Sequence, residues 1–187
     1  MSRLPQVGVA VTLFPLCPRT LALHTRVFAA VLRGAPPGAG QWSLPGGKLE
    51  WGEGLVAAAA REAREELGVA IEPLLAAGAP PGFCATDALH LPGHHYAIVH
   101  VCGAVRMGAG GSLPVLRAGD DAAQAAWLRD CSHGGAPAGG AAAQEEALLA
   151  RLRDVRAIGP VGSVLAAARA YLRQHQRSIA GGAYTVL

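Results

Sequence analysis

No stretch of about eighteen apolar residues runs uninterrupted by Gly, Pro or a charge, which argues against a membrane-spanning helix. Only Met1 to Gln6 precede the first apolar run. That is too little for the basic segment and apolar core of a secretory signal, so the expected location is the cytoplasm. Cysteine is sparse, and Cys17, Cys84, Cys102 and Cys131 form no CxxC pair. Neither a zinc ribbon nor a dense disulfide framework is indicated, and the four thiols read as buried or idle. Aromatics make up 5% of the chain and accompany no basic stripe, while the net charge of +3 comes from arginines spread along the sequence. A nucleic-acid-binding surface is therefore not expected. What is abundant is apolar surface, 51% hydrophobic against 16% charged residues in a chain of 187. This suits one domain over residues 1–187, with a core at about 7–130 and a C-terminal extension at about 141–176.

Periodicity divides the chain coarsely. Val7 to Phe14 and Val27 to Leu32 read as strands that could pair, joined by a Pro-rich connection at Pro15 to Pro18. GAPPGAG at Gly34 to Gly40 has the composition of a loop, after which Trp42 to Leu44 is extended until Pro45-Gly46-Gly47 turns it. Gly54 to Leu67 switches to Ala, Leu, Arg and Glu, all strong helix formers, and Gly68 stands where a left-handed residue would cap them. Val69 to Ala77 and Phe83 to Leu89 suggest strands around a Pro80-Pro81-Gly82 turn, and His95 to Val105 suggests a central strand. Gly108 to Asp121 is loop-like, and Ala122 to Leu128 fits a strand or a short helix. A Gly-rich connection at Gly134 to Gly140 leads to two helical patterns, Ala142 to Val155 and Val161 to Gln174, each with one apolar stripe.

One string carries chemistry. Gly47 is followed after five residues by Glu53, and after seven more by Arg61-Glu62-Ala63-Arg64-Glu65-Glu66-Leu67-Gly68-Val69. This resembles the signature of the Nudix hydrolase family, with every fixed position matched and Ala63 and Val69 at the apolar ones, Ala63 being a small choice. A chance match in such a chain is on the order of one in a million at ordinary residue frequencies. The spacing also makes sense on its own terms, because Glu62, Glu65 and Glu66 stand at i, i+3 and i+4 and share one helix face. Carboxylates so placed repel unless a hard divalent cation gathers them, and such an ion can also bridge to phosphate; Mg2+ is expected, with Mn2+ a substitute. A bare RExxEE string would more often be a solvated face laced by pairs such as Arg61 with Glu65. The framing by Pro45-Gly46-Gly47 and Gly68 reverses that reading, since glycine lets backbone approach an ion or phosphate closely.

The resemblance implies an α/β fold of the Nudix type, an α/β/α sandwich with a mixed sheet, here followed by the two C-terminal helices. It implies Glu62, Glu65 and Glu66 as metal ligands, the carbonyl of Gly46 or Gly47 as a further ligand, and Glu53 with Arg61 as a pair orienting the helix. The general base stays open between a box glutamate and a carboxylate on a distant loop. Asp120 and Asp121 are the distant candidates, Asp121 first, although Gly-Asp is also ordinary turn chemistry.

For the substrate, the resemblance extends over about residues 7–128 to the ADP-ribose pyrophosphatase and MutT-like branches. It implies a nucleotide as small-molecule partner. The box specifies reaction type and leaves the substrate to the loops. ADP-ribose-like compounds are favoured, normal or oxidised (d)NTPs come second, and a catalytically silent binding module is the alternative of another class. Arg33 at a strand end is a phosphate contact or a surface arginine. Trp51, Tyr96, Phe83 and His95 are stacking candidates or ordinary packing residues. Self-association into a homodimer stays open. Thr185-Val186-Leu187 resembles a carboxy-terminal peptide ligand for PDZ domains.

Overall fold

The computed structural model describes residues 4–36, 38–79, 84–87, 95–119, 122–131, 152–155, 159–179 and 185–186. The organising strand is β1 (Gln6–Leu16), whose side chains alternate between two covered faces and are buried from Gly8 onward. It pairs in parallel along its whole length with β8 (Tyr96–Arg106). Its other edge takes two short antiparallel partners, β5 (Gly46–Lys48) at Gly8 to Ala10 and β2 (Ala22–Leu23) at Leu16. The far edge of β8 receives β6 (Glu72–Pro73) and β7 (Cys84–Asp87), both antiparallel. A second sheet is built on β3 (Val27–Arg33), which lies antiparallel between β4 (Trp42–Ser43) and β9 (Ala122–Asp130).

The first helix, α1 (Leu55–Leu67), opens after Gly54 and closes at Gly68 in the left-handed conformation, φ 68°. The second, α2 (Gly159–His175), carries Pro160 in its first turn, where a missing N–H costs nothing. Each helix covers its own face of the strands. Val9, Val11 and Leu13 of β1 and Val27, Ala29 and Val31 of β3 pack with Ala58, Ala59, Ala63 and Leu67 of α1. The alternate residues Phe14, Leu16, Phe28 and Ala30 pack with Leu165, Ala168 and Leu172 of α2. Because strand side chains alternate in direction, these two lists place one helix above and one below, the expected α/β/α arrangement with mixed pairing. Each fully buried leucine among them contributes about 1.5–3 kcal/mol.

Several expectations need correction. β1 and β3 do not pair, because both edges of β1 are already taken by β8 on one side and by β5 and β2 on the other. Pro15 belongs to β1 and not to a connection, its carbonyl accepting from His24 N–H at 3.0 Å. Gly46 and Gly47 continue as strand β5 where a turn was expected. Of Val69 to Ala77 only Glu72 and Pro73 are strand, since the chain there crosses between cores: Val69 and Ile71 pack with α1, Leu74 and Ala76 with α2. The end of the pattern Ala142 to Val155 is not helical: Arg153–Val155 forms β10, parallel to β9, whose edge was open to it. Residues 140–151 lie outside the described residues, so one C-terminal helix, α2, is observed among them. Finally β11 (Thr185–Val186) lies parallel to β2, a pairing the sequence did not announce, while Leu187 lies outside the described residues.

Candidate metal and phosphate site

The buried stripe of α1 is Ala58, Ala59, Glu62, Ala63, Glu66 and Leu67. Its alanines let the helix axis approach the sheet, which is why a small residue suits position 63. That same stripe presses Glu62 and Glu66, only 6% and 5% exposed, against β5. Glu66 Oε2 accepts from the Gly46 N–H at 2.9 Å. A Cβ on Gly47 would collide with the Glu62 carboxylate, so glycine at this position lets the carboxylate sit where it does.

Arg61 ties the remaining acidic groups together. Its Nε and Nη2 donate to Glu53 Oε1 and Oε2 at 3.0 and 3.1 Å, a two-bond fork. Its Nη1 donates to Glu62 Oε1 at 2.7 Å and Glu65 Oε2 at 3.0 Å, and its Nη2 also reaches Lys48 O at 3.0 Å. The Arg61 fork holds the Glu53 carboxyl below its ordinary range, and Glu53 returns the effect by raising the guanidinium. Glu53 also accepts from the Glu50 N–H at 3.3 Å and so closes the turn before α1.

The expected set is therefore brought to one helix face but not uniformly. Glu62 and Glu66 are buried against glycine backbone, whereas the Glu65 side chain is 48% exposed. Among the described residues no group of three His, Cys, Asp or Glu side chains already closes around one point. The donor chemistry nonetheless fits a hard divalent cation: carboxylate oxygens from Glu62, Glu65 and Glu66, on the helix turn that meets β5 at Gly46 and Gly47. The Arg61 guanidinium bridging Glu62 and Glu65 shows that positive charge is accommodated between them.

The substrate candidates separate. Tyr96 is half-buried at the start of β8, and its ring edge, Ile98 and Gly47 O all lie within 4.0 Å of where a Gly8 Cβ would be. It thus stands on the strand face adjoining Gly47. Trp51 is fully exposed in the turn before α1, and the Arg33 stem folds over its own loop at Gly38. His95 is exposed, while Asp120, Asp121 and Phe83 lie outside the described residues.

A family model described as NUDIX domain matches residues 8–129. The chain belongs to the Nudix family. The matched span runs from β1 to β9 and includes the whole carboxylate helix. No curated protein matches the chain. Solved structures share the Nudix fold at low identity. A MutT/nudix family protein from Enterococcus faecalis is 18% identical with a TM-score of 0.59, over 97% of this chain and 67% of that one. An Ap4A hydrolase from C. elegans, as a binary complex, is 13% identical with a TM-score of 0.57, over 90% and 98%. A bifunctional NMN adenylyltransferase/ADP ribose pyrophosphatase from Francisella tularensis, complexed with AMP and a Mn ion, is 23% identical with a TM-score of 0.51. There the match covers 69% of this chain but 35% of that one, so the present chain spans about a third of the length of that relative.

Sequence reasoning missed how the loop after β8 reaches the Nudix helix. Arg117 N–H donates to Leu67 O at 2.9 Å and Gly119 N–H to Glu66 O at 3.3 Å, so residues 117–119 meet the last turn of α1. A Gly before two aspartates signals a turn, and nothing local to it announces a helix end as its partner.

Proposed function

We propose that this Nudix domain is a Mg2+-dependent pyrophosphohydrolase that cleaves a nucleoside diphosphate linked to another group, with ADP-ribose-like compounds as its first substrates and Mn2+ able to replace Mg2+. The observation that carries the reading is the burial of Glu62 and Glu66 against the glycine strand Gly46–Lys48, with Glu65 on the same helix turn. Arg61 pairs with Glu62 and Glu65, and the buried Glu66 on the same turn adds like charge that costs about 0.2–0.5 kcal/mol per pair even on an exposed helix and that a divalent cation would relieve.

In this reading Glu62, Glu65 and Glu66, with a Gly46 or Gly47 carbonyl, hold the cation. When bound, the cation neutralises the diphosphate and makes a water nucleophilic. Arg61 keeps the turn in place through its fork to Glu53 and its bond to Lys48 O, so the ligands start from a preset geometry. Phosphoryl chemistry asks mostly for such positioning and charge compensation. Tyr96, beside Gly8 and Gly47, is the stacking residue favoured by the geometry, and Trp51 and Arg33 are rim contacts. The base is a box glutamate or Asp121. The α2 face packs on the same strands as the matched core, which supports one domain over the whole chain.

Support for the substrate comes from relatives whose names carry ADP ribose and a dinucleoside polyphosphate. The test is a panel of nucleoside diphosphate derivatives and triphosphates with Mg2+ or Mn2+. ADP-ribose should yield AMP and ribose 5-phosphate, whereas a triphosphate would yield a monophosphate and pyrophosphate. A preference of about a hundredfold or more in kcat/KM for triphosphates, roughly 2.7 kcal/mol of transition-state discrimination, would overturn the substrate class. Failure to hydrolyse any of the panel would favour a binding module.

A further inference from the structure

The C-terminal end of a helix leaves carbonyls without helical partners, and here the chain supplies partners from some fifty residues further along the sequence. With Gly68 in the left-handed conformation, its N–H donates to Arg64 O at 3.0 Å and the Val69 N–H to Ala63 O at 3.4 Å. Arg117 N–H then takes Leu67 O at 2.9 Å, and Gly119 N–H takes Glu66 O at 3.3 Å. A Cβ placed on Gly119 would overlap the carbonyl oxygen of Glu65, so backbone meets backbone with no room for a side chain. On the other side of the same contact, a Cβ on Gly68 would lie 3.4 Å from Arg117 Cβ. The segment is held at its start as well: Leu113 and Leu116 pack on the α1 core, and Trp127 Nε1 donates to Pro114 O at 2.9 Å. Ala122 N–H returns to Gly119 O at 3.1 Å, joining the strap to β9.

We propose that Gly119 is a positioning residue: its bare backbone locks the 113–119 segment onto the last turn of α1 and thereby holds Glu65 and Glu66 in the register that gathers them around a cation. The residues it meets are the two ligand candidates themselves, through their own peptide groups, so any shift of the strap is passed directly to the carboxylate-bearing turn. The inference rests on the proposed metal-dependent function, and its test separates the two.

Mn2+ affinity is measured by electron paramagnetic resonance on the whole chain for the wild type, Gly119→Ala and Ala168→Gly. The last is a stability control on α2, on the opposite face of the strands. Gly119→Ala should weaken Mn2+ binding tenfold or more, and it should lower kcat on ADP-ribose with KM changed less than threefold. Ala168→Gly should lower Tm while leaving Mn2+ affinity within twofold. Wild-type affinity in a folded Gly119→Ala protein overturns the proposal, as does a loss in both variants that simply tracks Tm. Should Gly119→Ala fail to fold, hydrogen exchange on the wild type decides: Mg2+ should slow the peptide covering 113–119 together with that covering 62–68, and an unresponsive strap overturns the proposal. If the wild type hydrolyses nothing but the Mn2+ result holds, the positioning role stands and the enzymatic reading falls.

Discussion

At the scale of single residues, Glu66 is a carboxylate tied to the fold that is also proposed as a cation ligand. Its Oε2 accepts the Gly46 N–H, and a Gln side chain retains an amide oxygen able to accept the same bond. Glu66→Gln should therefore keep the fold, with Tm close to wild type, while turnover falls a hundredfold or more, about 2.7 kcal/mol in barrier. Equal activity would remove Glu66 from the ligand set. His100 makes a different prediction, about pH. Buried on β8, it is 5% exposed, and desolvation pushes its pKa down from 6.5 to about 4. His24, also buried, is lowered for the same reason. Between pH 6.5 and about 4 the unfolded chain binds a proton that the folded chain refuses at His100. Stability should thus fall as pH drops through that window, by up to about 1.4 kcal/mol per pH unit for a single fully titrating histidine. Urea unfolding at stepped pH should show the slope, and His100→Gln should reduce it; an unchanged slope in the variant would assign the effect elsewhere. Glu53, held low by Arg61, adds a loss that begins as pH falls below its ordinary value of 4.5 and continues as its own carboxylate is protonated.

At the scale of elements, α1 is as narrow as its alanines make it. Ala63 is fully buried against the strands, so Ala63→Leu should overpack the interface by about 1–3 kcal/mol, and because Glu62 precedes it, metal affinity should fall along with urea stability. Retained Mn2+ affinity in the destabilised variant would separate packing from site. This helix was the element most legible in the sequence, since Gly54, the run of helix formers and Gly68 set its ends locally. β1, β3 and β8 were legible from their apolar alternation, and the placing of Glu62, Glu65 and Glu66 on one helix followed from their spacing. What the sequence hid was decided by distant partners. Gly46 and Gly47 carry turn composition, yet β1 recruits them as a strand. Arg153–Val155 has helical neighbours, yet β9 offered an edge. Tyr96 was one aromatic among several until the parallel register of β1 and β8 set it beside Gly8 and Gly47.

At the scale of the whole molecule, α2 is fastened to the domain core by more than its apolar stripe. Arg169 is 2% exposed, and its Nη1 meets Asp130 Oδ2 at 2.8 Å at the end of β9. Its Nε and Nη2 donate to Thr25 O at 3.1 and 2.8 Å in the turn before β3. One guanidinium therefore joins the helix to the end of β9 and to the turn that leads into β3. Taking the pair out of water costs several kcal/mol, and attraction with the extra bonds to Thr25 O repays it only while both partners are present. Arg169→Ala should then destabilise by about 3–5 kcal/mol, because it strands the Asp130 carboxylate in the core. Replacing both, as Arg169→Met with Asp130→Leu, should cost less than that single change, since no charge is left buried alone. Urea unfolding of Arg169→Met, of Asp130→Leu and of the double completes the cycle. A double variant as unstable as the sum of the singles would mean that the ion pair contributes nothing by pairing, and that α2 is held by Leu165, Ala168 and Leu172 alone.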